Sequence, residues 1–286
     1  MIQTILLNST SILFAALMLA LGARWFIAPS ERGRIEKLFV VCCPIVPLSL
    51  WIVGHVLAAL TSLSMPVMDL YAYHVGGWIG YPSFRIAGLV QAHLWSRLLF
   101  EFVYDTFTLI AVLVIGVYLW HRPKETGRVA LAFFLNLTLA VGFYLIFPIC
   151  GPKYAFPTFP HLPGVVPIRT LILKAPPNGM PSAHVSNALL VLWFLRRWRS
   201  GRIAGTVFAI LTAVAVMSTG EHYFVDVLAA VPYAGLVLYL SGGETCALIQ
   251  FKVVRTGTRK PARMAPNVTF VSRILFIINR YLPDEQ

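Results

Sequence analysis

Apolar residues gather in seven long stretches, roughly 4–23, 38–63, 98–120, 128–148, 182–199, 203–219 and 224–241. A hydrocarbon core of about 30 Å takes about 20 apolar residues of helix, so each stretch meets or approaches the length of a membrane span. The last three are the shortest and are joined by brief turns, which predicts a compact sub-bundle. Two long segments break the pattern. Residues 64–97 set Tyr71, Tyr73, Trp78, Tyr81 and Trp95 among glycines, the composition of an interfacial or re-entrant stretch with aromatic rings at headgroup level. Residues 149–180 hold seven prolines and no helical period, which predicts an irregular, functional loop. The chain closes with VSRILFIINRYL, apolar on one face between Arg273 and Arg280, a pattern that predicts a helix lying on the membrane surface. The expected architecture is an all-α, polytopic membrane bundle of about seven transmembrane helices. It divides into N-terminal helices over 1–127 that include the interfacial segment 64–97, a core over 128–241, and a tail over 242–286.

Composition supports the pattern. Of 286 residues, 58% are hydrophobic and only 12% charged, with a mean hydropathy of +0.76. Soluble domains run at about 45–50% apolar and about 25% charged, so a soluble globular domain, a disordered chain and a disulfide scaffold are all excluded. Cys42, Cys43, Cys150 and Cys246 show no Cys-x-x-Cys spacing and read as free thiols rather than a disulfide framework or a zinc site.

The net charge of +12 and pI near 9.9 are compatible with nucleic acid, anionic headgroups or loops sorted by the positive-inside rule. Position decides among these. Of the 23 Lys and Arg, all but Arg85, Arg97, Lys153, Arg169 and Lys174 fall in alternate loops and in the tail. The rich side is therefore expected to be cytoplasmic, with residues 64–97 and 149–180 facing outward. The cluster Arg196 to Arg202 reads as a tight turn over anionic lipid rather than a nucleic-acid patch. Residues 1–23 carry no Lys or Arg, unlike a cleaved signal peptide with its basic n-region, and are read as a span. The chain is thus expected to be a multi-pass protein of the cell (inner) membrane with a cytoplasmic tail. Its partners are expected to be membrane lipids and not nucleic acid.

Ionisable residues at membrane depth are functional candidates by default, and two clusters fall at the outward ends of the last spans. Pro181-Ser182-Ala183-His184 opens the fifth span, and Gly220-Glu221-His222-Tyr223-Phe224-Val225-Asp226 joins the sixth to the seventh. Helix parity puts both on one side. His222 and Asp226 stand four residues apart and share a helix face. A carboxylate on one imidazole nitrogen would fix the tautomer and leave the other nitrogen to attack or take a proton. Ser182 reads as an N-cap, and the unpaired amides and dipole of the turn it opens favour an anion such as phosphate. His184 lies within that turn, and Lys153 offers a compensating charge.

At these residues the sequence resembles a known family. Met180-Pro-Ser-Ala-His-Val, followed by Ser218-Thr-Gly-Glu-His-Tyr-Phe-Val-Asp-Val, is similar to the type-2 phosphatidic acid phosphatase superfamily, and most to its inositolphosphotransferase, or inositol phosphorylceramide synthase-like, branch. The resemblance covers about residues 128–241. It implies a membrane enzyme in which His222 is the nucleophile that becomes phosphohistidine, Asp226 orients it, and His184 protonates the leaving alcohol. Ser182 would hold phosphate oxygens. Beside the nucleophile, Tyr223 and Glu221 are further substrate-binding candidates, Glu221 either binding a hydroxyl or lying in solvent. No metal and no cofactor are implied. Two cationic features of the lipid phosphatases are missing: there is no Lys-x6-Arg-Pro signature, and Ala215 and Val216 stand where a Ser-Arg pair is expected. Lys153 is the first candidate for the missing cation, and Arg169 and Lys174 are the next.

The expected reaction is transfer of a phosphoryl or inositol-phosphoryl group from a phospholipid to a lipid hydroxyl at an extracytoplasmic site. One alternative is the same intermediate attacked by water, as in a lipid phosphate or polyprenyl diphosphate phosphatase. A second is a non-catalytic lipid-binding or transport protein that keeps the histidines as a polar cluster. His184, His222 and Asp226 also form a donor set that would suit zinc with one open position. Arg97, Glu101 and Asp105, spaced i, i+4, i+8, read either as hydroxyl-recognising groups or as a helix-surface ion-pair ladder.

Overall fold

A computed structural model describes residues 53–242 except Thr106, together with positions 27, 29–31 and 33. The first predicted span, the opening of the second and the amphipathic tail lie outside the described residues. Within them the chain is mostly helical. Helix α1 covers Val53–Ser62. It is followed by β1 (Pro66–Val67), α2 (Asp69–Gly77), α3 (Pro82–Gln91), α4 (Leu94–Asp105) and α5 (Phe107–His121). Then come α6 (Thr126–Ile146), the single turn α7 (Pro152–Ala155), β2 (Leu171–Ile172), α8 (Ala183–Leu195), α9 (Arg199–Ser218) and α10 (Phe224–Leu240).

Two of these helices, α6 and α9, are long and apolar enough to cross a membrane, with mean hydropathies of 2.2 and 1.7. Helices α1, α8 and α10 are apolar but shorter. The 13 residues of α8 rise only about 20 Å, less than the hydrocarbon thickness. Of the seven predicted spans, the described residues therefore show two at full length. The predicted span 98–120 falls on two elements, α4 and α5, which end and begin on either side of Thr106. Residues 64–97 form α2 and α3, linked by a turn in which Tyr81 takes the left-handed conformation (φ 55°) and Pro82 starts the next helix. In the proline-rich segment only α7 and β2 are regular, and β2 pairs antiparallel with β1, Val67 opposite Leu171.

Helix α8 is the centre of the bundle. It packs against α9, α10, α5 and α6, while α3 and α4 pack on α9. The main apolar core is built from one side each of α5, α6, α8 and α10, including Val114, Tyr118, Val129, Phe133, Leu190, Phe194, Tyr233 and Val237. Helix α9 reaches α8 closely because position 205 is glycine: a Cβ there would stand 2.8 Å from the Leu192 Cα. At one end of α8, Glu125 pairs with Arg122 at 2.7 Å and with Arg197 at 2.8 Å. Burial works against that carboxylate, but the two guanidiniums hold its pKa below the ordinary range. At the opposite end of α8 stand Ser182 and His184.

Candidate active site

Three stretches of backbone meet at that end: the start of α8, the α9–α10 turn, and the strap 148–153 that follows α6. Ser182 is fully buried and caps α8, its hydroxyl accepting from the Val185 amide at 3.4 Å. Its own amide donates to the Asp226 carbonyl at 3.2 Å, which ties the start of α8 to the first turn of α10. From below, Asn136 of α6 donates to the Ala183 carbonyl at 3.3 Å and accepts the Ser186 hydroxyl at 2.6 Å. The Tyr233 hydroxyl of α10 donates to the Asn136 carbonyl at 2.6 Å. The residue immediately before His184 is thus held by a buried polar network shared among three helices.

His222 is buried, and its amide donates to the Val216 carbonyl at 3.1 Å. Its Nδ1 lies 2.9 Å from the Gly179 carbonyl oxygen. A carbonyl only accepts, so the proton sits on Nδ1 and the lone pair on Nε2. The spacing of His222 and Asp226 predicts a carboxylate in this role, and the structure differs. Asp226 Oδ2 is 3.8 Å from Nδ1, beyond hydrogen-bond reach. It accepts instead from the Tyr223 amide at 2.7 Å, as the third residue of a capping box. The physical reason is local: His222 lies just before α10 and Asp226 inside its first turn, so the carboxylate satisfies a helix-terminal amide while remaining an ion-pair neighbour of the ring. Asp226 Oδ1 is buried with no hydrogen-bond partner among the described residues.

The His184 and His222 rings face each other edge to face, with centroids 5.7 Å apart and planes at 65°. Tyr104 of α4 stacks on the His184 ring at 4.2 Å and 23°. Lys153, in α7, forms an ion pair with Glu221 Oε1 and sits 4.8 Å over the Tyr154 ring. The Tyr154 hydroxyl reaches Glu221 Oε2 at 3.4 Å. Burial pulls the Lys153 pKa down, but Glu221 outweighs it and the net direction is up. The strap closes on the turn because position 151 is glycine, at φ 115°, where a Cβ would collide with the Glu221 carbonyl oxygen. The Lys153 amide then donates to the Gly220 carbonyl at 3.0 Å. Arg169 and Lys174 are exposed on either side of β2, with no hydrogen bond or ion pair to the histidines among the described residues. Arg97 and Glu101 form an exposed i, i+4 pair at 2.9 Å, the helix-surface form of the ladder.

Sequence reasoning passes over two side chains here, Tyr104 and Asp69. Asp69, at the start of α2, is fully buried. Its Oδ1 accepts from the Gly151 amide at 2.8 Å and its Oδ2 from the Cys150 amide at 3.0 Å. Burial raises its pKa to about 6, against the lowering effect of the two amides, and Asp226 adds repulsion. Its signal in the sequence is that of an isolated acid in an apolar run, Val67-Met68-Asp69-Leu70. Tyr223, whose hydroxyl is buried, lies beside the same carboxylate. No cluster of three or more His, Cys, Asp or Glu suited to a metal is present among the described residues.

The arrangement offers a buried imidazole with one lone pair directed away from its backbone anchor, a second imidazole against it, and a capped helix start beside both. The family model described as the PAP2 superfamily matches residues 78–240, more than half of the chain. The chain belongs to the PAP2 superfamily. The matched region begins at Trp78 and so takes in α3 and α4, consistent with their packing on α9. Members of this superfamily are generally phosphatases and phosphotransferases, and membership supports an enzyme acting on lipid phosphate esters. Together with the two span-length helices it also supports a membrane protein. No curated protein and no solved structure matches the chain.

Proposed function

We propose that this PAP2 protein is a multi-pass membrane phosphotransferase that moves a phosphoryl or inositol-phosphoryl group from a phospholipid to a lipid hydroxyl through a phosphohistidine at His222. The observation that carries the reading is the pairing of His222 Nδ1 with the Gly179 carbonyl beside the His184 ring. In the first step Nε2 of His222 attacks phosphorus, the P–O bond to the leaving alcohol breaks, and His184 gives that oxygen its proton. In the second, His184 takes the proton of the acceptor hydroxyl, whose oxygen attacks phosphorus and breaks the P–N bond. Covalent capture splits one difficult displacement into two easier ones, and one residue serves as acid and then base.

The capped start of α8 would receive the phosphate oxygens, and the Asp226 carboxylate would stabilise the ring as it gains charge. Lys153, Arg169 and Lys174 are the cations available to the incoming phosphate, Lys153 after sharing its charge with Glu221. The distribution of Lys and Arg supports a site on the extracytoplasmic face with the tail inside. Support for transfer over hydrolysis comes from the likeness to the inositolphosphotransferase branch and from the missing phosphatase cations.

The test is mass spectrometry of lipid and water-soluble products made by wild type and His222→Ala from mixed phospholipids, with and without ceramide or diacylglycerol. The expected result is a new phosphorylated lipid that requires both the acceptor and His222. Free inorganic phosphate released without any acceptor would overturn transfer in favour of hydrolysis. Equal product from His222→Ala would overturn the phosphohistidine.

A further inference from the structure

We infer that Tyr104 is a positioning residue for the acid–base histidine, stacking on the His184 ring to fix its plane and to favour its protonated form. The inference deepens the phosphohistidine reading and rests on it. Tyr104 reaches the site from a helix that carries none of the other site residues. Helix α4 packs on α3 and α9, and the end of α3 is pinned where Gln91 donates to the Ser218 carbonyl at 2.7 Å. The tyrosine also rests against the apolar cluster of Val185, Val216, Met217 and Ala230 beneath the two histidines. Its position is therefore set by α3 and α9 as well as by Val185 of α8, and the ring meets His184 at 4.2 Å and 23°. His222 covers an edge of the same imidazole. Between the two contacts, the plane in which His184 can present a proton is defined.

The electrostatic consequence follows from the aromatic quadrupole, whose negative face attracts a cation lying over it. Among the described residues, the titratable groups whose rings touch His184 include His222 from the α9–α10 turn and Tyr104 from α4. Asp226 of α10 stands behind His222, and Asp105 and Glu221 are in electrostatic range of Tyr104. Helix α6 adds Tyr144, near Asp226. From α5, Tyr118 bonds the Phe194 carbonyl at the opposite end of α8. The Tyr104 ring is the only one of these groups stacked face to face on the imidazole. Removing its face is expected to lower the basicity of His184. Because the first step needs His184 protonated, the alkaline limb of the pH profile then moves to lower pH.

The experiment compares wild type, Tyr104→Phe and Tyr104→Leu in lipid nanodiscs on two donors, phosphatidic acid and p-nitrophenyl phosphate. An alkyl leaving group needs the proton from His184, whereas nitrophenolate leaves without it. Tyr104→Leu is expected to lower turnover of phosphatidic acid by about tenfold or more and to shift its alkaline limb down by about one pH unit. The nitrophenolate burst of the first turnover, which precedes any use of His184 as a base, should stay within about twofold, and Tyr104→Phe should match wild type throughout. Equal losses on both donors with an unmoved limb would reduce Tyr104 to a packing residue and overturn the inference. A Tyr104→Phe variant as impaired as Tyr104→Leu would overturn it in favour of the hydroxyl.

A wild-type protein that turns over neither donor and takes no phosphate onto His222 would instead count against the phosphohistidine reading. An NMR titration of 15N-imidazole-labelled wild type and Tyr104→Leu then decides the stack by itself. A lower His184 titration point in the variant supports the inference, and an unchanged one overturns it.

Discussion

The hydrogen bond from His222 Nδ1 to the Gly179 carbonyl changes what each residue of the site is asked to do. With His222 Nδ1 against the Gly179 carbonyl, Asp226 stands 3.8 Å from that nitrogen and caps the start of α10. Lys153 is likewise not a cation waiting for phosphate, since Glu221 already holds it. A phosphate that recruits Lys153 must draw it away from Glu221, so the two substitutions should act in opposite directions. Lys153→Met is expected to raise the donor KM, and Glu221→Gln to lower it, each by about threefold to tenfold for a partly exposed pair. Steady-state kinetics at several donor concentrations checks this, and a KM raised by both would mean that the pair serves as one unit. The residues legible in the sequence, His184, His222, Asp226 and Ser182, are those whose chemistry is announced by short local spacing at a helix start. A carbonyl such as that of Gly179 has no sequence signature, and Tyr104 comes from a helix far away in the chain, so neither spacing nor residue type reveals them.

Among the elements, the site depends on how the strap 148–153 is clamped, and that clamp is Asp69. Its two oxygens hold the Cys150 and Gly151 amides, and α2 adds a backbone bond from the Met68 amide to the Pro148 carbonyl at 2.7 Å. The carboxyl has a folded-state pKa of about 6 against an ordinary 3.8, with burial the largest cause. A raised pKa means that the folded state binds more protons than the unfolded chain between those values, so stability falls as pH rises through that window. The contribution is complete below about pH 4 and gone above about pH 6, and two units correspond to about 3 kcal/mol. Thermal unfolding at about pH 4, 5 and 6 should show wild type losing Tm across this range. Asp69→Asn, which offers one acceptor to two amides, should start lower and show a flatter slope. Parallel slopes would remove Asp69 as the titrating group.

At this scale the sequence reads the apolar helices well: residues 128–148 appear as Thr126–Ile146 and 224–241 as Phe224–Leu240. It reads lengths less well where a polar cap intrudes. The span 182–199 stops at Leu195 because the chain turns at Arg196 to Trp198, and α9 starts at Arg199, where the first turn is basic and mean hydropathy is silent. The predicted boundary at residue 97 falls inside α4, Leu94–Asp105, and nothing in the composition of 64–97 or 149–180 signals that β1 and β2 pair, because two-residue strands have no period.

For the molecule as a whole, the arrangement along α8 bears on which way the chain faces. The Glu125, Arg122 and Arg197 cluster lies at one end of this helix, and Ser182 and His184 at the other. Under the positive-inside rule a strongly basic end is expected on the cytoplasmic side, which would put the histidines at the outer water boundary, where a lipid phosphate could reach the start of α8 while its acyl chains stayed among the helices. Thr158 and Ser200 are both exposed and report the two ends: Thr158 lies just past α7, on the strap side, and Ser200 in the first turn of α9. Cysteine at position 158 should react with an impermeant thiol reagent on intact cells, whereas cysteine at position 200 should react only after permeabilisation. The parent chain, whose Cys150 is buried, sets the background for both. Labelling of the Ser200→Cys protein alone in intact cells would invert the topology and place the phosphotransfer chemistry in the cytoplasm. Because the site geometry is the same in either orientation, that outcome would change which pool of lipid is the substrate without touching the roles of His184 and His222.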